Sequence, residues 1–278
     1  MKRIITVQDI SCVGKCSLTV ALPIISAAGV EAAVLPTAVL STHTQFPKFT
    51  FLDLTKELQP IADTFQELNL DFDAVYTGYL GSFDQLDFVD QFIKDRAEHK
   101  PTVIIDPVMA DNGKLYTGFT QEFADRMAQL CGNADLILPN LTEAAFMLHE
   151  PYRETYDEAY VQETLVKLTD LGAKQAALTG ISLEEGKIGY YLYDSTTKTF
   201  HSYFNEKLPV LYHGTGDVFA SCVTGAHMRG LSIPDALTLA VDYTLECIRA
   251  TMKDPNRRDY GVNFEEALPL LIDRLAKA

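Results

Sequence analysis

The sequence predicts an α/β protein with a mainly parallel central sheet and helices on both faces. Three observations support this. Short, nearly continuous apolar runs alternate with amphipathic helical stretches along the whole chain. Of the 278 residues, 47% are hydrophobic, enough to bury a large core. No Pro/Gly/Ser-rich linker and no repeat of fixed period breaks the pattern, so one domain spanning 1–278 is expected.

The chain opens with a β-branched run, 2–8, and a helical stretch, 15–28, closed by Gly29. Residues 31–40 read as the next strand and 41–50 as a polar loop. In 53–68, Leu54, Leu58, Ile61, Phe65 and Leu68 recur at helical spacing. Strand 74–76 ends at Thr77-Gly78, an amphipathic helix covers 85–98, and strand 102–105 ends at Asp106-Pro107. Helix 119–130, strand 136–138 and a short helix, 142–148, follow. Helix 156–171 is closed by Gly172 and leads to strand 175–178. Two β-like runs, 187–193 and 199–204, flank 194–198 as a hairpin. Helices 215–229, 234–252 and 264–277 complete the chain. In parallel sheets of this kind ligands bind beyond the carboxyl ends of the strands. Functional residues are therefore expected in the loops that begin near Asp9, Ser41, Thr77, Asp106, Pro139 and Thr179.

With 23 basic and 38 acidic residues the formal charge is −15. Such a surface repels a polyphosphate backbone, which argues against nucleic-acid binding. A phosphorylated small ligand then needs local help from a divalent cation, backbone amides or a few placed cations. No apolar run reaches the roughly 20 residues of a bilayer span. Met1-Lys2-Arg3-Ile4-Ile5-Thr6-Val7 lacks the apolar segment and cleavage site of a secretory signal. A cytoplasmic protein without a membrane partner is expected. Cys12, Cys16, Cys131, Cys222 and Cys247 are scattered and read as reduced thiols. Cys12 and Cys16 stand four apart, but no second Cys/His pair completes a zinc site.

The strongest chemical signal is His213-Gly214-Thr215-Gly216-Asp217-Val218-Phe219-Ala220-Ser221, which runs into an apolar helical stretch. Glycines on either side of a threonine let the backbone turn several N–H groups toward one point. The following helix adds an N-terminal dipole equivalent to about half a positive charge. Together these make an anion site. Asp217, in the first turn, can take a proton from an attacking hydroxyl. The same residues also suit an ordinary turn with an N-capping aspartate. Their place late in the chain, before a helix of small residues, favours the anion site. Upstream, Pro139-Asn140-Leu141-Thr142-Glu143 reads as a helix start.

These two segments, in this order and separation, resemble the signature of ribokinase-like kinases. The resemblance implies that Asp217 is the catalytic base and that Gly214, Thr215 and Gly216 form the anion hole. It places Asn140 and Glu143 in an Asn-x-x-Glu motif whose glutamate helps position Mg²⁺ around the phosphates of ATP, often through water. Further segments resemble pyridoxal kinases, over essentially the whole chain. Thr37-Ala38-Val39-Leu40-Ser41-Thr42-His43-Thr44-Gln45-Phe46 is similar to their vitamin-contacting segment, and Thr77-Gly78-Tyr79-Leu80-Gly81-Ser82 to a following turn. Asp106-Pro107-Val108-Met109-Ala110-Asp111 is similar to their acidic loop beside the nucleotide phosphates.

On this resemblance Ser41, His43 and Thr44 are substrate contacts and Tyr79 a pocket wall. Asp106 and Asp111 lie near Mg-ATP, Asp106 joining Glu143 on the metal side, with Tyr116 in the same loop. Thr179-Gly180 brings a hydroxyl and an amide to the phosphates. Pro209-Val210-Leu211-Tyr212 offers apolar cover for adenine, or is simply core. A homodimer is likewise implied.

Several positions depart from the pattern. Where Asp9 stands, pyridoxal kinases usually carry a serine that contacts the pyridine ring, and Tyr stands in place of Val13. Asp9 either pairs with a protonated ring or with the aminomethyl group of pyridoxamine, biasing the enzyme toward that vitamer, or caps the next helix. Many relatives have a hydroxyl residue in place of Leu138, for which Thr142 partly compensates. Gly14-Lys15-Cys16-Ser17 fails as a P-loop, because the first glycine falls at Asp9 and the Ser/Thr position is Cys16. Gly214-Thr215-Gly216 is not a dinucleotide fingerprint, since the third glycine falls at Phe219. His99, His149, His201 and His227 read as surface or satisfied structural residues, and His213 as an orienting or turn residue.

The activity implied is ATP-dependent phosphorylation of the 5′-hydroxymethyl group of a B6 vitamer, with Mg²⁺ as cofactor. A hydroxymethylpyrimidine kinase with the same phosphate machinery, and a non-catalytic B6- or nucleotide-binding protein of the same fold, are the alternatives.

Overall fold

In the computed structural model, which describes residues 1–277, the chain separates into two units, Met1–Ala74 with Asn205–Ala278, and Val75–Phe204. In chain order the elements are β1 (Arg3–Ser11), α1 (Leu18–Ala27), β2 (Glu31–Leu40), β3 (Phe51–Asp53), α2 (Thr55–Glu67), β4 (Ala74–Thr77) and α3 (Phe83–Asp95). Then come β5 (Thr102–Ile105), β6 (Ala110–Asp111), β7 (Lys114–Leu115), α4 (Gln121–Cys131), β8 (Leu136–Ile137), α5 (Leu141–Met147) and α6 (Glu158–Asp170). The last are β9 (Gln175–Ile181), β10 (Lys187–Asp194), β11 (Thr199–Glu206), α7 (Thr215–Arg229), α8 (Ile233–Lys253) and α9 (Phe264–Ala276).

In the first unit β1 and β2 pair in parallel, as their apolar, β-branched composition predicts. The register shifts between Gln8 and Ile10. Irregularities of this kind re-aim side chains, and this one falls at Asp9. Ile4, Ile5 and Val7 of β1 are fully buried, as are Val20, Ala21, Ile24 and Ile25 of α1. The buried face of α7 is made of small residues, among them Ala220, Ser221, Gly225 and Ala226. Gly225 lets the end of α1 come close, because a Cβ there would press on the Ala28 side chain.

In the second unit the strands lie in the order β11-β10-β9-β8-β5-β4. β5, β8 and β9 pair in parallel and β10 returns antiparallel to β9. The short connection 182–186 permits only that return. The hairpin expected from 187–204 forms, with Asp194 accepting from the backbone N–H of Thr196 and Thr197 at its turn. Both units are α/β with parallel pairing, the class that the alternating pattern predicts.

Two features were not anticipated. β3 pairs antiparallel with β2, and helix α2 therefore starts at Thr55 and buries only Leu58 and Ala62, leaving Leu68 63% exposed. The two-residue strands β6 and β7 pair with each other; they are too short to leave a periodic trace. Among the described residues no helix is long and apolar enough to cross a membrane.

Candidate active site

In the first unit the turn before α7 is built as the glycine spacing demands. Gly214 is the N-cap residue, with φ +74°, and a Cβ there would collide with the carbonyl oxygen of Lys15. Only glycine takes this position without strain. Around Gly216, by contrast, a Cβ would meet nothing within 4 Å. Thr215 Oγ1 donates to Tyr212 O (3.3 Å) and ties the turn together. The amides of Thr215, Gly216 and Asp217 belong to the first turn of α7, where a helix supplies no acceptor of its own.

Asp217 is half-buried in that turn, and the N–H of Ser17 donates to its carboxylate. Burial, with the negative charge of Asp9 adding to it, raises its carboxyl to about 7 against the pull of the Ser17 N–H. A base poised near neutrality suits proton removal from an alcohol under attack.

Asp9 lies within β1 and is only 4% exposed. It accepts from Ser11 Oγ (2.9 Å) and from the Ser17 hydroxyl. Burial raises its carboxyl above the usual range, with the two hydroxyls opposing. The helix-capping alternative for Asp9 is corrected: Ser17 occupies the N-cap of α1, with no side-chain cap bond. Ser17 has φ 51° and ψ −134°, a conformation that costs a non-glycine residue about 1–3 kcal/mol. Its bonds to Asp9 and Asp217 help hold it there. Cys16 feels both carboxylates, and burial pushes its thiol up to about 12, so it remains protonated.

The 41–50 loop is closed at its base, where Ser41 Oγ accepts from Thr50 N (2.9 Å). Thr44 is exposed in the middle of the loop. His43 Nδ1 accepts from Gln45 N (3.2 Å), which places the proton on Nε2 to donate to Tyr260 O (3.1 Å). Both ring nitrogens are thus committed within the protein. Leu211 is 93% exposed, so the core alternative for 209–212 falls.

The second unit gathers a different set around the start of α5. Asn140 Oδ1 accepts from Thr142 N (2.8 Å) and Glu143 N (2.9 Å), and its Nδ2 donates to Ala110 O (2.9 Å). Glu143 completes a capping box, Oε2 accepting from Asn140 N (2.9 Å) and Oε1 from Met109 N (3.2 Å). Burial raises the Glu143 carboxyl to about 8; the N–H groups of Asn140, Met109 and Ala110 oppose this and Asp111 adds to it. Thr142 Oγ1 accepts from Gly113 N (3.0 Å), holding the β6–β7 turn.

Asp106, 7% exposed, follows β5, and Asp111, exposed in β6, accepts from Asn112 N. Tyr116, 42% exposed, follows β7 and donates its N–H to Met109 O. Thr179 donates through N and Oγ1 to Pro139 O (3.0 and 3.4 Å), and Gly180 follows with φ +70°. The Asp106–Asp111 loop, the 139–143 segment and Thr179 therefore converge. Tyr79 lies in this unit too, its ring 5.7 Å from that of Phe119.

Sequence reasoning missed Ser17, Gln45 and Tyr260. Gly14-Lys15-Cys16-Ser17, set aside as a failed P-loop, supplies the Lys15 carbonyl that confines Gly214 and the Ser17 N–H that holds Asp217. Gly14 was its only local signal.

The family model for phosphomethylpyrimidine kinase matches residues 22–261. The chain is 30% identical over 203 residues to the pyridoxine kinase of Bacillus subtilis, covering 71% of each. A crystal structure of a Bacteroides thetaiotaomicron protein named as a phosphomethylpyrimidine kinase, in a form with pyridoxal, is 41% identical with a TM-score of 0.92, covering 97% of this chain and 95% of that one. The pyridoxal kinase of Lactobacillus plantarum is 29% identical with a TM-score of 0.90, covering 99% and 98%. The glycine turn with its half-buried aspartate and the capping-box glutamate thus stand in a chain that belongs to the phosphomethylpyrimidine kinase family, a kinase of the pyridoxal and hydroxymethylpyrimidine kinase type with the ribokinase-like fold.

Proposed function

We propose that the chain transfers the γ-phosphate of ATP to the 5′-hydroxymethyl group of a vitamin B6 vitamer. The observation that carries the reading is Asp217, a carboxyl raised to about 7 in the first turn of a helix that begins at a glycine turn with no side-chain cap. Asp217 accepts the hydroxyl proton as the oxygen attacks phosphorus, and the amides of Gly214, Thr215 and Gly216 hold the developing charge. Asp9, Ser41, His43, Thr44 and Tyr79 are assigned to the vitamer; Asp106, Asp111, Tyr116, Asn140, Glu143, Thr179 and Gly180 to the nucleotide. Asn140 Oδ1 already accepts two backbone N–H groups and Nδ2 donates to Ala110 O, so Asn140 acts by shaping the loop.

Mg²⁺ suits these residues only as an ion held mainly by phosphates and water. Among the described residues no three His, Cys, Asp or Glu gather into a metal-holding group, and both Glu143 oxygens already accept backbone N–H groups. Glu143 and Asp106 would anchor its waters. When bound, the ion neutralises phosphate charge.

The vitamer assignment is supported by the likeness to the pyridoxal-bound and pyridoxine kinase relatives. Asp9, buried and without an ion pair among the described residues, suits an acceptor with a cationic nitrogen, as pyridoxamine offers. A second reading, a hydroxymethylpyrimidine kinase, is favoured by the family model. A homodimer belongs to the first reading and is measurable by light scattering. The deciding test is Mg-ATP turnover with pyridoxamine, pyridoxal, pyridoxine and hydroxymethylpyrimidine, with Asp217→Asn as control. Asp217-dependent turnover of the vitamers is expected; turnover of the pyrimidine alone would move the enzyme to the second reading. Silence on all four would leave the non-catalytic binding protein.

A further inference from the structure

We propose that Gln45 and His213 form a latch that ties the 41–50 loop to the residue before the glycine turn and so holds the loop in place to receive the acceptor. The proposal rests on the kinase reading of that turn. Gln45 Nε2 lies 2.6 Å from His213 Nδ1. A side-chain amide nitrogen can only donate, so His213 accepts through Nδ1 and carries its proton on Nε2. His213 is followed directly by Gly214, the residue whose φ of +74° begins the turn.

The other end of the latch is fixed as well. Gln45 donates its backbone N–H to His43 Nδ1, and His43 Nε2 donates to Tyr260 O. The rings of His43 and Phe46 lie 4.8 Å apart, those of Phe46 and Tyr260 5.4 Å, and those of His43 and His213 5.7 Å. Three stretches distant in sequence are joined by this chain of bonds: the loop, the glycine turn and the segment around Tyr260. Gln45 and His213 are both exposed, so their bond adds little to global stability. Its consequence is positional, which makes Gln45 and His213 positioning residues.

The test combines Gln45→Ala, His213→Ala and the double variant with His213→Asn, whose amide oxygen can replace Nδ1 as acceptor. Hydrogen exchange of the loop amides in the ligand-free chain reads the latch without any acceptor. Both alanine variants are expected to speed that exchange and to raise the acceptor KM roughly 3- to 10-fold, the equivalent of one hydrogen bond. The KM for ATP, kcat and the melting temperature stay close to wild type, the double variant adds nothing to either single one, and His213→Asn restores both readouts. Unchanged loop exchange, or effects that multiply in the double variant, would overturn the latch whatever the acceptor. Faster exchange in a chain that phosphorylates neither the vitamers nor the pyrimidine would support the latch and remove the functional reading instead.

Discussion

Asp217 in the first unit and Glu143 in the second are both carboxylates in the first turn of a helix, and burial raises both, to about 7 and about 8. What surrounds them differs. Glu143 accepts from Asn140 N and Met109 N, completes a capping box and ties the 106–111 loop to α5. Asp217 has one backbone donor, Ser17, and a second carboxylate, Asp9, working against its ionisation. Similar positions and similar proton affinities thus go with different surroundings. A carboxylate whose oxygens both accept backbone N–H groups organises backbone, whereas one with a single backbone donor keeps acceptor capacity for a new partner.

The largest effect that could break this comparison is on turnover. Asp217→Asn should lower kcat by roughly 10²–10⁴, the range for losing a general base, and a near-wild-type single-turnover rate would remove Asp217 from that role. Its stability should move the other way. The Asp217 carboxyl is raised from 3.8 to about 7, so the folded state holds the proton more tightly than the unfolded chain. The associated stability is present below 3.8 and is lost as pH rises through about 7. Denaturant melts should therefore show Asp217→Asn gaining on wild type as pH climbs through that window.

Glu143→Ala should do the opposite, destabilising the chain by about 2–3 kcal/mol at neutral pH, because it removes a cap partner and leaves buried N–H groups unpaired. If urea unfolding shows it no less stable than Asp217→Asn, the contrast between the two carboxylates collapses.

The glycines sharpen the comparison inside the first unit. Gly214→Ala meets the Lys15 carbonyl at a positive φ and should cost more than about 1 kcal/mol of stability. Gly216→Ala meets nothing within 4 Å and should fold as well as wild type. Yet it should lose about 10²-fold in kcat if that space admits a phosphoryl group held by the turn's amides. A fully active Gly216→Ala would place the phosphate elsewhere.

Asp9→Ser should have the smallest effect. It removes the like charge beside Asp217, so the acidic limb of kcat/KM should move to lower pH. The pyridoxamine-to-pyridoxal ratio should fall about tenfold, the worth of one charged hydrogen bond. A ratio that stays put would return Asp9 to a purely structural position.

Much of the molecule was legible before any coordinates. The strand at 31–40 and the helix at 215–229 coincide with β2 and α7, because hydrophobic period and glycine punctuation are local properties of the chain. Asn140 and Glu143 were legible as a pair through the resemblance to the Asn-x-x-Glu motif, and the structure shows the spacing to be that of a capping box. What tertiary structure alone decided is which groups Asp217 meets. Ser17 and Lys15 adopt positive φ, a choice no residue type announces, and β1 shifts register at Asp9. His43, expected to face a ligand, has both nitrogens bound within the protein, one of them to Tyr260, 217 positions away. Proton affinity follows the same division: a sequence supplies a carboxylate, but only packing determines how much water and which charges it keeps.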